Sequence, residues 1–417
     1  MYIIKNNNNY YILFKVCFME NTTVLPIYDT YFKTTPAVIF AENECSQPVN
    51  WEDFKTLPDS PELNKPLSKR VVDFSTQDAQ NTQDATWTDS IKRVLKYAMD
   101  AFSAFFLYPL QRIVMIPLYP AQSGIVRAFI PHLRIENLNK KKKDFLNENN
   151  NLGLICRDVV LEKNGVRYSG ILVGSQETIN NGQWALQAAP NAMAIENMIS
   201  NVSDIYLSKN FNLLMINGPG VGNSQGTATP TTMGDAQEVG ISFLETAIKA
   251  NKIVIAGYSL GGAAIGQAIS QHEFKTEGVE YHVVRQMTFD RASNVCGRIV
   301  GQFVPFLEGV VSKIIKFSGC EMDSIAASKK LSNNNIDEII VQATDANVST
   351  VSTTPPSSDD FMTDGIITPE ASLGYTLVKE TTTNKKFISL LEAPHMTWNA
   401  ITLPIEVISR SASRNKE

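Results

Sequence analysis

Beyond residue 150, short apolar runs alternate with segments whose apolar residues recur at the spacing of a helix. Two of these runs flank the turn Lys163-Asn164-Gly165, which predicts an antiparallel hairpin. The predicted strands are 156–161, 166–173, 184–188, 212–217, 252–256, 281–289, 337–343 and 386–392, and the predicted helices are 194–208, 234–250 and 262–271. An antiparallel start followed by such alternation requires an α/β fold, with a mostly parallel sheet of about eight strands and helices on both faces.

The first 150 residues show a different pattern, and we expect them to form a largely helical or irregular extension. Residues 44–90 are polar and contain several prolines, which indicates a loop or a poorly ordered linker. Residues 97–130 are the most apolar long stretch, but prolines and charges divide them below the ~18 uninterrupted apolar residues of a transmembrane helix. They predict a pair of helices that are either buried or in peripheral contact with a membrane through residues 91–130. Charge and asparagines interrupt residues 1–18, so no secretory signal peptide is predicted.

Two further segments set the predicted domain organisation. Residues 137–151, with four consecutive lysines followed by acidic residues and asparagines, predict a solvated hinge. We place the domain boundary there, between the extension at 1–150 and a sheet domain at 151–417. Within the sheet domain, residues 294–333 stand between two predicted strands and contain an apolar run. This insertion is expected to form a cap over the functional site.

Composition narrows the classes of partner and cofactor. The 417 residues include 37 Lys and Arg against 42 Asp and Glu, a net charge of -5, which argues against nucleic acid as a partner. The five cysteines form no C-x-x-C pair and no H-E-x-x-H occurs, so we expect no disulfide scaffold, no metal and no cofactor. Reduced cysteines and the lack of a predicted signal peptide indicate a protein that is cytoplasmic when it is made.

The sharpest chemical signal is Gly257-x-Ser259-x-Gly261, which stands between a β-branched run and an apolar helical segment. A nucleophile elbow requires that context, because its strand-to-helix turn is so tight that the serine adopts a strained backbone conformation. Glycines two residues to either side leave room for the neighbouring strand and helix. Ser259 is therefore the predicted nucleophile, at the amino end of a helix whose dipole favours negative charge.

A serine hydroxyl needs a base, and His395 is the predicted base among the four histidines. It follows the last predicted strand near the end of the chain, in the order serine, acid, histidine. The acid that orients it is expected after the strand 337–343. Asp364, which precedes a helix that begins at a proline, is favoured over Asp345, which is nearer to the end of the strand. Asp290, after the preceding strand, is a third candidate.

Acyl transfer also needs two backbone amides that bind the oxyanion. The amide of Leu260, next to the serine, is one predicted donor. We expect the loop after strand 184–188 to supply the other from Asn191, because Pro190 has no N–H group.

With these residues the chain resembles the α/β-hydrolase superfamily over about residues 155–405. More narrowly it is similar to the CHLPS family, which was named from Chlamydia and includes lipase-like effectors translocated by Legionella. The motifs that carry this resemblance are Asn217-Gly-Pro-Gly-Val-Gly-Asn-Ser, Ala256-Gly-Tyr-Ser-Leu-Gly-Gly and Asp364-Gly-Ile-Ile. The resemblance implies hydrolysis of an ester by a bacterial protein that is delivered into a host cell. Ala189-Pro190 replaces the usual His-Gly of the oxyanion loop and departs from the superfamily pattern.

The predicted function is that of a serine hydrolase, an esterase or lipase that cleaves a small-molecule or lipid ester through an acyl-enzyme intermediate. A cap over the serine would favour an apolar acyl chain. Two alternatives stay open on the sequence. One is a catalytically inactive α/β-hydrolase shell that binds a protein or a membrane, and the other is a peptidase with the same three side chains.

Overall fold

The structure is a computed structural model that describes residues 3–6, 9–12, 38–41, 131–151, 153–275, 277–345, 351–352, 356–379, 385–391, 393–395 and 397–414. The predicted linker at 44–90 and the apolar segment at 91–130 lie outside these residues.

Ten strands form one sheet, in the order β11-β12-β10-β9-β8-β6-β7-β5-β4-β3, while β1 and β2 pair with each other. In chain order the strands are β1 (Ile3–Asn6), β2 (Asn9–Ile12), β3 (Val38–Ala41), β4 (Leu154–Lys163), β5 (Val166–Ser175), β6 (Gln183–Ala188), β7 (Asn212–Ile216), β8 (Lys252–Tyr258), β9 (Glu280–Gln286), β10 (Asp337–Thr344), β11 (Val351–Ser352) and β12 (Lys385–Leu391). β4, β5 and β7 are successively antiparallel, and β7, β6, β8, β9, β10 and β12 are parallel. All eight predicted strands are present, which confirms the mostly parallel sheet of an α/β-hydrolase fold.

Helices cover both faces of this sheet. Successive strand residues point to opposite sides, and both sides carry apolar residues that have to be buried. The helices are α1 (Ile135–Asn151), α2 (Ile199–Leu207), α3 (Pro230–Thr246), α4 (Leu260–Gln271), α5 (Ala292–Gly301), α6 (Glu308–Phe317), α7 (Ser324–Asn333), α8 (Leu373–Lys379) and α9 (Asn399–Arg414). In the central strand β8, Ile253 and Ile255 pack in one core cluster with α3, α4 and α7. Val254 and Ala256 belong to a second cluster, with α2 and α9.

Local sequence signals mark the ends of several elements. Asn164 and Gly165 both have positive φ (52° and 73°) in the two-residue turn between β4 and β5, as a type I′ hairpin requires. Helix α3 begins at Pro230, where a missing N–H group costs nothing. The hydroxyl of the preceding residue, Thr229, accepts a hydrogen bond from the amide of Thr232 (3.1 Å) and caps the helix.

The lysine-rich segment 137–151 belongs to helix α1, so the prediction of a solvated hinge is wrong. Leu138, Lys142 and Phe145 recur at the spacing of one helix face, and all three are buried. The ammonium group of Lys142 forms a salt bridge with Asp158 on β4 and donates to the hydroxyl of Ser169 on β5 (2.8 Å). The predicted boundary at residue 150 therefore falls at the end of a helix that packs on the sheet domain.

The predicted cap, residues 294–333, falls into two parts. In α5 and α6, Val295 and Ile315 share an apolar cluster with Leu260 at the start of α4. Helix α7 instead packs beside α4 against the sheet, where Ala327 and Leu331 join the main core cluster. The predicted range is therefore too long, because α7 belongs to the layers that flank the sheet.

A buried ionic cluster joins α3 to the end of α4. Nδ1 of His272 lies 3.0 Å from Oε1 of Glu238, and Nε2 lies 2.9 Å from Oε1 of Glu245. Lys163 also pairs with Glu238, and the hydroxyl of Tyr281 donates to Glu245 (2.5 Å). Burial alone lowers the pKa of His272, but the hydrogen bonds to the two glutamates outweigh it and raise that pKa to about 9. His272 is therefore an imidazolium at neutral pH.

We expect the free energy of unfolding to fall by about 3 kcal/mol as the pH rises from about 6.5 to about 9. The pKa of His272 is higher in the folded than in the unfolded chain, so its contribution is complete below the unfolded value and is lost as the pH passes the folded value. Urea unfolding at both ends of this range measures the effect. His272→Gln should lose the dependence, whereas His132→Gln, at an exposed histidine, should keep it. If the free energy of unfolding of His272→Gln fell with pH as much as that of the wild type, His272 would not be the source of the pH dependence.

Candidate active site

Ser259 stands at the turn between β8 and α4. Its φ of 51° and ψ of -118° form a conformation that residues with a side chain rarely adopt, as expected for the strained elbow. The amide of Ser259 donates to the carbonyl of Gln286 at the end of β9 (2.8 Å). The turn therefore holds the serine at the carboxyl end of the parallel strands and at the amino end of α4.

Positions 257, 261 and 262 around Ser259 have to be glycines, because neighbouring segments approach them closely. A Cβ atom at Gly257 would lie 2.5 Å from the carbonyl oxygen of Gly261, and one at Gly261 would lie 2.5 Å from that of Ala189. A Cβ atom at Gly262 would lie 1.9 Å from Oγ1 of Thr288. Any side chain at these positions would force β8, α4 and the loop after β6 apart.

Ser259, His395 and Asp364 form a hydrogen-bonded chain. Nε2 of His395 lies 2.8 Å from Oγ of Ser259, and Nδ1 lies 2.7 Å from Oδ2 of Asp364. All three residues are buried. When Nδ1–H donates to the carboxylate, Nε2 carries a lone pair that can accept the proton of the serine hydroxyl. The arrangement can therefore serve as a nucleophile, its base and the group that orients the base.

Backbone contacts fix the acid and the histidine relative to each other. Oδ1 of Asp364 accepts from the amides of Ile366 (3.0 Å) and Ile367 (2.8 Å), which leaves Oδ2 for His395. The amide of His395 donates to the carbonyl of Asp364 (2.7 Å). The two loops are thus joined through both their main chains and their side chains.

Of the three candidate acids, Asp364 is the one that lies against His395. Asp345 is exposed at the end of β10. Asp290 is buried, and its carboxylate accepts hydrogen bonds from side chains of α5 and α8. Burial raises the pKa of Asp290 to about 6. The structure therefore places Asp345 and Asp290 in other surroundings.

The predicted oxyanion donors lie on two segments that meet at the elbow. Leu260 is the first residue of α4, where an amide has no acceptor within the helix. Asn191 is exposed in the loop after β6, and its side-chain oxygen accepts from the amide of Ala192 (2.8 Å). Ala188, the last residue of β6, pairs with Gly257 of β8, so this loop leaves the sheet beside the elbow. The role of the two amides stays a prediction.

Tyr258 is a residue of the site that sequence reasoning missed. Its hydroxyl donates to the carbonyl of His395 and accepts from the amide of Thr397 (3.1 Å), and its ring lies edge-on to the imidazole. Burial raises the pKa of Tyr258 to about 12, so the hydroxyl stays protonated and available as a donor. The sequence did contain a signal for this role. Tyr258 ends a buried strand directly before the serine, and a buried tyrosine needs a hydrogen-bond partner for its hydroxyl.

The other three histidines lie outside this arrangement. His272 belongs to the ionic cluster, Nε2 of His282 lies 2.6 Å from Oε1 of Glu280, and His132 is exposed. Within the part of the chain that the structure describes, no three His, Cys, Asp or Glu residues are grouped so that they could hold a metal ion. None of the described helices combines the length and apolar character needed to cross a membrane.

An apolar cleft of about 90 Å³ lies between the loop after β6 and the loop that carries His395. Its lining comes from both loops, from the residue before α2, and from β8 and α9: Pro190, Met193, Met198, Tyr258, Thr397, Trp398 and Ile401. Tyr258 is adjacent in sequence to Ser259, and Pro190 to Asn191, so the cleft lies next to the elbow. Its chemistry suits an apolar group of a small molecule.

Comparison with known proteins gives a family and a set of similar structures. A family model described as Chlamydia CHLPS protein (DUF818) matches residues 141–408. The chain is similar to an alpha-beta hydrolase from Vibrio vulnificus, with 15% identity over 70% of this chain and 94% of that one and a TM-score of 0.45. It is also similar to Est1E from Butyrivibrio proteoclasticus with bound ferulic acid (12% identity, 61% and 98% of the two chains, TM-score 0.44). A Pyrococcus furiosus esterase is similar at 16% identity, over 64% and 93% of the two chains, with a TM-score of 0.42. No curated protein matches the chain.

Proposed function

The chain belongs to the Chlamydia CHLPS protein family, whose model spans more than half of it, and we propose that it is a serine hydrolase that cleaves an ester. The observation that carries the proposal is the continuous hydrogen-bonded chain from Asp364 through His395 to Ser259. A strained elbow at the serine adds to it, because such strain persists only where the surrounding structure maintains it.

In the proposed mechanism, Oγ of Ser259 attacks the carbonyl carbon of the ester while Nε2 of His395 takes the hydroxyl proton. The carboxylate of Asp364 stabilises the imidazolium that forms. The amides of Leu260 and Asn191 bind the oxyanion of the tetrahedral intermediate. When the intermediate collapses, the ester C–O bond breaks and His395 gives its proton to the departing alcohol. A water molecule, activated by the same nitrogen, then hydrolyses the acyl-enzyme.

The substrate class follows from the surroundings of the serine. The cleft beside Tyr258 has an apolar lining, and the cap helices α5 and α6 pack over the start of α4. Both features favour an ester with an apolar acyl chain, as in a carboxylesterase or a lipase.

Family membership supports a wider role for this activity. The enzyme is made in the cytoplasm of a bacterium and is delivered as an effector into a host cell, where its hydrolysis of lipid or small-molecule esters contributes to virulence. Segment 91–130 contacts a membrane peripherally in this proposal, because it is apolar and three of its first six residues are basic.

Labelling with a fluorophosphonate probe tests the proposed nucleophile. We expect one adduct on Ser259 in the folded chain, and none in Ser259→Ala or after unfolding in urea. Ser270→Ala is the matched control, because Ser270 lies on the exposed side of α4 and its hydroxyl is bonded to the carbonyl of Gly266 (2.9 Å). This variant should label like the wild type.

Hydrolysis of p-nitrophenyl esters of rising acyl length gives the second readout. Labelling with turnover that grows with chain length supports the lipase-like assignment. Turnover of peptide amides in addition to the esters would indicate a peptidase. If the wild type neither labels nor hydrolyses any ester, the inactive binding shell is the better explanation.

A further inference from the structure

Helix α6 carries apolar side chains on two adjacent faces, one buried and one exposed. Val311 and Ile315 face inwards and pack in the cluster that covers the start of α4. Val310, Ile314 and Phe317 follow each other at i, i+4 and i+7, the spacing of one helix face, and all three are exposed. Packing onto the domain uses only the first face, so the second is available to a partner.

The connection between α5 and α6 extends this exposed face. Phe303 and Phe306 lie there, and Phe306 is 79% exposed, compared with 66% for Phe317 at the far end of α6. We define the outer cap face by the five exposed apolar residues of this region: Phe303, Phe306, Val310, Ile314 and Phe317. They are five of the nine large apolar side chains that are exposed among the described residues, so the exposure is concentrated here. Such a concentration marks an interaction surface.

Lysines give the outer cap face a positive charge. Lys313 and Lys316 are exposed on α6, and the described part of the chain supplies neither of them with an ion-pair partner. Phenyl rings and ammonium groups on one helix are typical of helices that lie in a membrane interface. The rings enter the acyl region, while the long lysine side chains reach the headgroups. This charge complements an anionic lipid surface.

The cap is fixed to the loop that carries the acid of the site. The side chain of Asn294 on α5 donates to the carbonyl of Glu370 (2.9 Å), and Arg298 lies 3.5 Å from the carboxylate of Glu370. Glu370 follows Asp364 in the same loop, and Ile366 between them is also exposed. A surface bound to the cap is therefore held beside the loop of Asp364.

We propose that the outer cap face docks on an anionic phospholipid bilayer. Phe306 and Phe317, the two most exposed side chains of the face, enter the acyl region, and Lys313 and Lys316 bind headgroup phosphates. This surface is separate from segment 91–130. Docking requires no ester cleavage, so it can be tested independently of the proposed hydrolase activity.

The test is flotation of the full chain with phosphatidylcholine vesicles that contain or lack phosphatidylserine. The Ser259→Ala chain serves as the parent, because it cannot consume the lipid if the proposed activity is real. We expect it to bind vesicles with phosphatidylserine and to bind those without it more weakly. Phe306→Ser/Phe317→Ser should bind at least about tenfold more weakly, since two large apolar groups no longer leave water. Lys313→Gln/Lys316→Gln should lose roughly fivefold in affinity for each lysine on the anionic vesicles.

Conservative variants provide the matched controls. Phe306→Leu/Phe317→Leu keeps apolar area, Lys313→Arg/Lys316→Arg keeps charge, and both should float almost like the parent. Thermal unfolding should be unchanged in all four double variants, because the replaced side chains are exposed. The proposal is overturned if the Ser259→Ala parent binds neither kind of vesicle. It is also overturned if Phe306→Ser/Phe317→Ser floats as well as the parent. The second result would assign the contact to another segment, such as 91–130. Flotation without any ester hydrolysis by the wild type would refute the proposed activity alone.

Discussion

Asp364→Asn is expected to lower kcat for ester hydrolysis about 10⁴-fold, with little change in stability. The amide group of asparagine can present an N–H donor to Nδ1 of His395. The ring then carries its proton on Nε2, the nitrogen that faces Ser259, and can no longer accept the hydroxyl proton. Steady-state kinetics with a soluble p-nitrophenyl ester measure the effect. The loss should lie in kcat more than in KM, because the interaction acts on the transition state.

The other two candidate acids supply the matched controls. Asp345→Asn changes an exposed residue, and Asp290→Asn changes a buried one whose hydrogen bonds go to α5 and α8. Both should retain most of the wild-type kcat, and Asp290→Asn should in addition change stability. A large loss in Asp345→Asn with an active Asp364→Asn would show that the acid is not Asp364.

Glu338→Gln is expected to lower the free energy of unfolding by about 3–5 kcal/mol. Glu338 on β10 is fully buried, and its carboxylate pairs with Arg285 on β9 and Lys385 on β12. Burial alone raises the pKa of Glu338, but the two cations outweigh it and hold that pKa below its usual range. The glutamine variant leaves both cations inside the protein without a negative charge. Urea unfolding at neutral pH measures the loss.

Glu280→Gln is the control for Glu338→Gln. Its side chain is 57% exposed and pairs with Lys252 at 3.1 Å, so water can replace the carboxylate and the loss should be smaller than in Glu338→Gln. The double variant Glu338→Gln/Lys385→Met removes one of the stranded cations and should recover part of the stability. Equal losses in Glu338→Gln and Glu280→Gln would argue against a buried ionic cluster at this position.

The sheet was predictable because its strands are buried on both faces. Every residue of β8 is buried, and after Lys252 the strand appears in the sequence as a continuous apolar run. Helix α1 was not predictable in the same way, because its buried face includes Lys142 and the neighbouring positions are polar. Only the fold brings Asp158 to that lysine, and an isolated lysine run is typical of a solvated segment.

The elbow was predictable because its motif residues lie within five consecutive positions between a strand and a helix. Gly257 is required by its contact with Gly261 inside the turn, whereas Gly261 is required by the approach of Ala189 from the loop after β6. The acid was ambiguous because Asp345 and Asp364 are separated by a segment without periodicity, and the contact with His395 exists only in the folded chain. The role of Tyr258 was missed for the same reason, since its partner His395 lies 137 residues further along the chain.

The burial of Lys142 bears on where a shortened chain can begin. A chain that started at residue 151 would lose the ammonium group that pairs with Asp158, and it would also lose Phe145, which packs with Ile171 and Val173 of β5. We therefore expect the smallest stable unit to start before α1, upstream of the first strand of the hydrolase hairpin. During synthesis α1 leaves the ribosome before β4. Lys142 can therefore form its salt bridge with Asp158 only after β4 has also emerged.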